Sequence, residues 1–240
     1  QKIKIFFYLN MSYFIQIGAG AGDRDERLDF KDGFTKFVKE KINNENNILV
    51  VEANPRNLKK LKVCWKNYSN VKIFNIAIVD SHYKKDDIKL YYTESDAPCY
   101  QITSINKEHV KKHYPNDKII ELNVRSQKIN DFLIEKTKLE NIEYLAIDVE
   151  GIDYDLLMDI DFDKLKIKNI SFEFIHLNKE QIKNIFNRLI KNGFTYTGKG
   201  FDINGYDLMF KKKINFFSKL KTNYKLYRVL KKRKKSNKNT

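Results

Sequence analysis

The chain has 240 residues, 42% of them hydrophobic. That is enough for one domain with a sizeable core, and too apolar for wholesale disorder. Its two cysteines, Cys64 and Cys99, are too few for a disulfide framework, and no Cys-x-x-Cys or Cys/His cluster suggests zinc, so they read as reduced thiols of a cytoplasmic protein. The net charge is +15, but residues 211–240 hold 13 Lys and Arg and no acid, which leaves only +2 for residues 1–210. Basicity therefore belongs to the tail and says little about what the domain binds.

Residues 3–17 are apolar-rich but broken by Asn10, Ser12 and Gln16. The run is shorter than the roughly 20 residues of a spanning helix. It leads straight into a glycine turn rather than a small-residue cleavage site, so it reads as a strand. Gly18, Gly20 and Gly22 follow at alternate positions, and residues 25–42 read as a helix weakened in its middle by Gly33. After a polar break, residues 48–51 (Ile-Leu-Val-Val) form a short apolar run, as expected of a strand buried on both faces. Glu52-Ala53-Asn54-Pro55 closes it and opens a helix, Pro55 suiting the first turn. Residues 71–78 read as a third strand and residues 88–93 as an additional, hairpin-paired one. A short helix is expected over 106–113, a strand over 120–125 and a helix over 129–137. Residues 144–147 read as a strand ending in Asp148-Val149-Glu150-Gly151. A helix over 156–160, a strand over 170–174 and a helix over 179–191 stopped by Gly193 follow, then an antiparallel pair over 194–197 and 206–211. Strands alternating with helices specify an α/β fold with a mainly parallel sheet.

In such a sheet ligands bind beyond the carboxyl ends of the strands, where strand order reverses. Four strand ends carry informative residues: the glycine turn, Glu52, Asn75-Ile76-Ala77 and Asp148-Val149-Glu150-Gly151. The turn amides and bare glycine backbone suit a polar ligand. The two oxygens of Glu52 match the vicinal hydroxyls of a ribose, although an acid at a helix N-terminus also has a purely structural use. A nicotinamide cofactor fits poorly: Asp23 occupies the place of the third glycine of Gly-x-Gly-x-x-Gly, and Glu52 falls 30 residues after Gly22 rather than about 20. A P-loop is excluded because no Gly-Lys-Ser/Thr follows.

Residues 16–23 (Gln-Ile-Gly-Ala-Gly-Ala-Gly-Asp), 51–55 (Val-Glu-Ala-Asn-Pro), 75–78 (Asn-Ile-Ala-Ile) and 147–153 (Ile-Asp-Val-Glu-Gly-Ile-Asp) stand in an order and spacing that resembles FkbM-type methyltransferases. Residues 172–177 (Phe-Glu-Phe-Ile-His-Leu) resemble that family too, so the likeness spans about residues 13–210. The resemblance implies a Rossmann-like class I fold with a doubly wound, mostly parallel seven-stranded sheet and an antiparallel closing strand. It implies a domain over 1–210 and a separate tail over 211–240. It also implies an S-adenosylmethionine-dependent O-methyltransferase acting on a hydroxyl, commonly of a sugar, glycan or related metabolite. Gly18, Ala19, Gly20 and Gly22 would then cradle the methionine end of the cofactor. Glu52 would hold the ribose, Ala53 and Asn54 would lie beside the adenine, and Ala77 near its edge. Gln16 departs from the acid often found at its position, so Asp23 or Asp148 would supply the charge for the methionine ammonium.

Methyl transfer to a hydroxyl requires alignment and a proton acceptor. Asp148 and Glu150, two apart at a strand end, can both face the cleft, although a structural acid pair serves Glu150 equally well. His176 follows the next strand and titrates near neutrality. His109 and His113 share a helix face at a spacing that can bind metal, but no glutamate makes them His-Glu-x-x-His. They read as solvated or lid-packing residues, and no metal is expected. Residues 100–104 are the place for a lid. In the tail, Phe217, Leu220, Tyr224 and Tyr227 fall on one face of a basic amphipathic helix, which suits an anionic membrane surface and a peripheral location, with nucleic acid as the electrostatic alternative and a packing helix followed by a solvated Lys-rich end as the plain one. Two rival readings remain at this level: a binding protein that keeps the fold without catalysis, and a nucleic-acid methyltransferase.

Overall fold

Tyr13, Ile15 and Ile17 of β1 (Ser12–Ile17) enter one hydrophobic cluster and Phe14 enters another, so the strand is buried on both faces. β2 (Asn47–Val51) and β7 (Asn141–Ile147) alternate in the same way: Leu49, Val51, Leu145 and Ile147 face the first cluster, Ile48, Val50 and Ala146 the second. That period of two is what a doubly covered parallel sheet dictates. The structure is a computed structural model that describes residues 12–23, 32–41, 46–201 and 205–213 together with Leu226 and Val229.

Seven strands form the main sheet in the order β3 (Val71–Phe74), β2, β1, β7, β8 (Asn169–Glu173), β10 (Asp207–Lys212) and β9 (Phe194–Lys199). β1 pairs in parallel with both β2 and β7, so strand order reverses beside it. β10 runs antiparallel to β8 and β9 and closes the sheet. Helices α1 (Gly33–Lys41) and α2 (Leu58–Trp65) cover one face through Phe34, Val38, Leu61 and Trp65. Helices α4 (Ile129–Thr137), α5 (Asp153–Asp159) and α6 (Lys179–Lys191) cover the other through Phe132, Leu133, Leu156, Ile182 and Phe186. A small second sheet joins β4 (Ala77–Val79) in parallel and β5 (Asp87–Tyr92) in antiparallel to β6 (Ile120–Lys128). Helix α3 (Lys107–His113) follows β5, with Asn106 as its N-cap.

Register decides what the sheet presents. Ile17 aligns with Val51 and Ile147, Val51 with Phe74, and Ile147 with Phe172. The next residue of each strand end, in turn Gly18, Glu52, Asp148, Asn75 and Glu173, therefore emerges at one edge.

Two expectations need correction. The apolar run over 71–78 is two strands in different sheets. The chain leaves the main sheet at Asn75, whose Nδ2 donates to the carbonyls of Glu52 (2.9 Å) and Ala53 (2.8 Å). Gly33 does not weaken the middle of a helix but begins α1: Asp32 caps it through a side-chain bond from Thr35 N, and a Cβ on Gly33 would overlap the Phe201 carbonyl. Residues 24–31, where the helix was expected to start, lie outside the described residues, as do 202–204. So does the tail stripe of Phe217, Leu220, Tyr224 and Tyr227. β10 carries the main sheet to Lys212, and Leu226 and Val229 pack against the first cluster. Among the described residues no helix is long and apolar enough to cross a membrane.

Candidate active site

A cleft of about 300 Å³ opens at this edge, floored by the glycine turn and walled by the ends of β2, β7 and β8. Gly18 has φ +85° and a Cβ there would overlap the Asp148 carbonyl, so only glycine lets the two strand ends meet. Gly20 has φ +53°, and its bare Cα faces open space. Its amide is committed: Gly20 N donates to Glu52 Oε2 at 2.6 Å, and Asn54 N donates to Oε1 at 2.7 Å. Glu52 is only 6% exposed, and burial pushes its pKa up while the two backbone amides pull it back. Asn57 Nδ2 also donates to Oε1 at 3.5 Å, whereas Oε2 takes only the Gly20 amide among the described residues and keeps acceptor capacity that a ligand hydroxyl can use.

Of the residues expected to hold a cofactor, Gly18, Ala19, Gly20, Gly22, Glu52, Ala53, Ala77 and Asp148 line this one cleft. Asn54 does not. It is fully buried, its Oδ1 capping the turn at Arg56 N (3.0 Å) and its Nδ2 donating to Thr103 Oγ1 (2.9 Å). It braces the turn beneath the cleft.

Gln16 is 4% exposed and lines the cleft floor. Its Nε2 donates to Asp32 Oδ1 (3.0 Å), while Oε1 has no hydrogen-bond partner among the described residues. A buried acceptor in that condition is costly unless a ligand donor completes it. Asp23 is held by Lys39 Nζ at 2.6 Å and does not line the cleft. Asp148 and Asp32 do line it. Burial raises the pKa of Asp32 against the pull of Thr35 and Gln16. Nothing in the spacing singles out Asp32; folding α1 back onto β1 is what delivers it.

The other end of the cleft is acidic. Asp148, Glu150, Glu173 and Asp207 line it. Asp148 opens onto the cleft yet is enclosed by protein mass, and that burial, with Glu173, Glu150, Asp153 and Asp207 around it, raises its pKa well above the ordinary carboxylate range. Asp153, at the start of α5, accepts from Val149 N (3.1 Å) and fixes the loop carrying Glu150; burial pushes its pKa up to about 7. Glu150 Oε2 lies 2.9 Å from His109 Nε2 and 3.3 Å from His176 Nε2. His176 does not itself line the cleft but stands behind Glu150 and Glu173. Tyr100, Gln101, Thr103 and Ser104, from the expected lid, also line it, and the Ser104 hydroxyl donates to the Glu150 carbonyl.

A doubly wound sheet with its glycine turn at the switch point and a buried carboxylate closing the next strand defines a Rossmann-like class I methyltransferase fold. Residues 16–196 match the Methyltransferase FkbM domain, and the chain belongs to that family. It is an S-adenosylmethionine-dependent methyltransferase. The residues present fit that cofactor: Gln16 Oε1 lacks a donor among the described residues, the Glu52 carboxylate could take a diol, and the bare Cα of Gly20 faces open space. No curated protein is significantly similar to the chain. Among solved structures it is similar to the fibrillarin pre-rRNA processing protein of Methanococcus jannaschii, at 13% identity and a TM-score of 0.40, over 85% of this chain and 67% of that one. The N-terminal domain of human METTL16 in complex with SAH is 12% identical with a TM-score of 0.44, over 85% and 62%. A precorrin-6y C5,15-methyltransferase from Geobacter metallireducens is 12% identical with a TM-score of 0.40, over 85% and 81%. The chain thus spans 62% of the METTL16 structure and about two thirds of the fibrillarin one. These likenesses are distant, and family membership rests on residues 16–196.

Proposed function

We propose that the protein methylates a hydroxyl of a sugar, glycan or related metabolite. The observation that carries this reading is the acidic end of the cleft, where Asp148, Glu150, Glu173 and Asp207 converge beside the cofactor floor. Carboxylates grip the donor hydroxyls of a neutral polyol and repel a polyphosphate backbone, and the first 210 residues, at +2, offer nucleic acid little net attraction.

Bound S-adenosylmethionine supplies an electrophilic methyl group. Glu52 and Gln16 fix the orientation of the cofactor through a diol and a donor. Asp148 and Glu150 hold the acceptor hydroxyl, and a carboxylate there, or His176 behind it, receives its proton. Tyr100 and Thr103 flank the opening and exclude water when an acceptor is seated.

The test is methyl incorporation from labelled S-adenosylmethionine into a panel of glycans, polyols and RNAs. Asp148→Ala and His176→Ala are expected to cut incorporation roughly 10²- to 10⁴-fold, the usual reach of a proton-transfer group, while S-adenosylhomocysteine still binds in calorimetry. Incorporation into RNA alone, or full turnover in both variants, overturns the reading.

A further inference from the structure

His109 and His113 lie one turn apart on α3, and the loop after β8 brings His176 against both, with ring centroids 4.7 Å from His109 and 6.0 Å from His113. Donor atoms of the three imidazoles lie within 4.8 Å of one another, as do those of His176, Glu150 and Glu173. Two of these rings aim Nε2 at the same carboxylate oxygen, Glu150 Oε2, from 2.9 Å and 3.3 Å. His176 Nε2 is also 3.6 Å from Glu173 Oε2.

Despite their closeness, His109 Nε2 and Glu150 Oε2 are sealed from solvent and make no well-directed hydrogen bond among the described residues. Lone pairs directed instead at a common point leave the two atoms close but unbonded. Two ligands about 2.0–2.2 Å from one ion, at tetrahedral or octahedral angles, stand about 3.0–3.4 Å apart, which matches these separations.

We propose that His109, His176 and Glu150 bind one divalent transition-metal ion, with His113 and Glu173 flanking it as further ligands. Imidazoles with one or two carboxylates suit zinc, cobalt, nickel or manganese, whereas magnesium and calcium favour all-oxygen sets. The ligands come from three separate parts of the chain: α3, the loop after β7, and the β8 end with its loop. The spacing of His109 and His113 by itself therefore implies no metal. Because Glu150 and Glu173 also line the cleft, the ion stands behind the carboxylates of the acceptor end and holds them in place. That placement rests on the hydroxyl-methylating reading; the ion site itself does not.

The test uses the full chain, stripped with a chelator and titrated at one fixed pH with Zn²⁺, Co²⁺, Mn²⁺ and Mg²⁺. Binding is followed by calorimetry, by bound-metal content and by the visible spectrum of the cobalt form. S-adenosylhomocysteine binding is measured in parallel. Expected are one equivalent of Zn²⁺ or Co²⁺, little Mg²⁺, and a ligand-field spectrum showing imidazole nitrogen. His109→Ala and His176→Ala are expected to weaken the ion at least about tenfold while S-adenosylhomocysteine binds as before, which also certifies their folding. A wild-type chain that binds S-adenosylhomocysteine but no ion overturns the site and leaves the methyltransferase reading standing. So does unchanged ion affinity in both variants. An ion bound without S-adenosylhomocysteine supports the site and counts instead against the cofactor reading.

Discussion

At the scale of single residues, Glu52 joins two turns. It takes Gly20 N on one oxygen and Asn54 N on the other, so one carboxylate fixes both the glycine floor and the start of the next crossover. In Glu52→Gln one of those amides meets an NH₂ rather than an acceptor. The fold is expected to survive with a lost bond of about 1–3 kcal/mol, and S-adenosylhomocysteine affinity to fall at least about tenfold in calorimetry. Asp153 shows a different consequence of burial. Folded, it keeps its proton up to about pH 7; unfolded, it releases it near the ordinary 3.8. Between those values the folded state binds more protons, so raising the pH through the window destabilises it, by up to about 4 kcal/mol for a shift of this size. Its contribution is fully present below the lower value and lost as pH rises through the upper one. Asp153→Asn cannot ionise, and its melting temperature is expected to fall less than that of the wild type between pH 5 and 8. Asp32, Glu52 and Asp148 are raised too, so the variant flattens the slope without abolishing it.

At the scale of elements, the important joints are those where a strand stops. Short continuous apolar runs place β1, β2 and β7 from sequence, and α4 and α6 occupy the spans expected of them. The run over 71–78 misleads because both β3 and β4 are apolar, and nothing local says that Asn75 must turn back to the Glu52 and Ala53 carbonyls. Asn75 thereby ties the end of β3 to the turn that carries Glu52. Asn75→Ala leaves two carbonyls without that donor. It is expected to lower stability by about 1–3 kcal/mol in chemical denaturation, and to loosen S-adenosylhomocysteine binding although Asn75 does not line the cleft. Denaturation indistinguishable from wild type would remove it from this role. Gly33 is a second such joint. By propensity it belongs outside a helix interior, and it stands at a helix start because the Phe201 carbonyl leaves no room for a Cβ.

For the whole molecule, charge is divided between an acidic cleft and a basic tail of 13 Lys and Arg. Leu226 and Val229 pack on the core, so part of that tail belongs to the domain energetically. Burying Val229 is worth about 1.5–3 kcal/mol. A chain ending at residue 213 keeps β10 whole, and is expected to melt lower than the full chain and to lose flotation with anionic vesicles in a sucrose gradient. Equal flotation of both chains would withdraw the membrane surface as a partner.

The sequence by itself determined the α/β class, the glycine floor, the acid after β2 and the family, because these depend on short-range patterns: continuous apolar runs, closely spaced glycines and residues that stop a strand. Tertiary structure alone decided which side chains share the cleft. Register aligned Gly18, Glu52, Asp148 and Glu173 at one edge, and packing of α1 against β1 delivered Asp32. It turned Asn54 into a brace and set Gln16, an apparent defect, against Asp32 at the cleft floor. It also gathered His109, His113 and His176 around Glu150. Contacts between residues dozens of positions apart leave no periodic trace in a chain; they arise only when the strands are laid side by side.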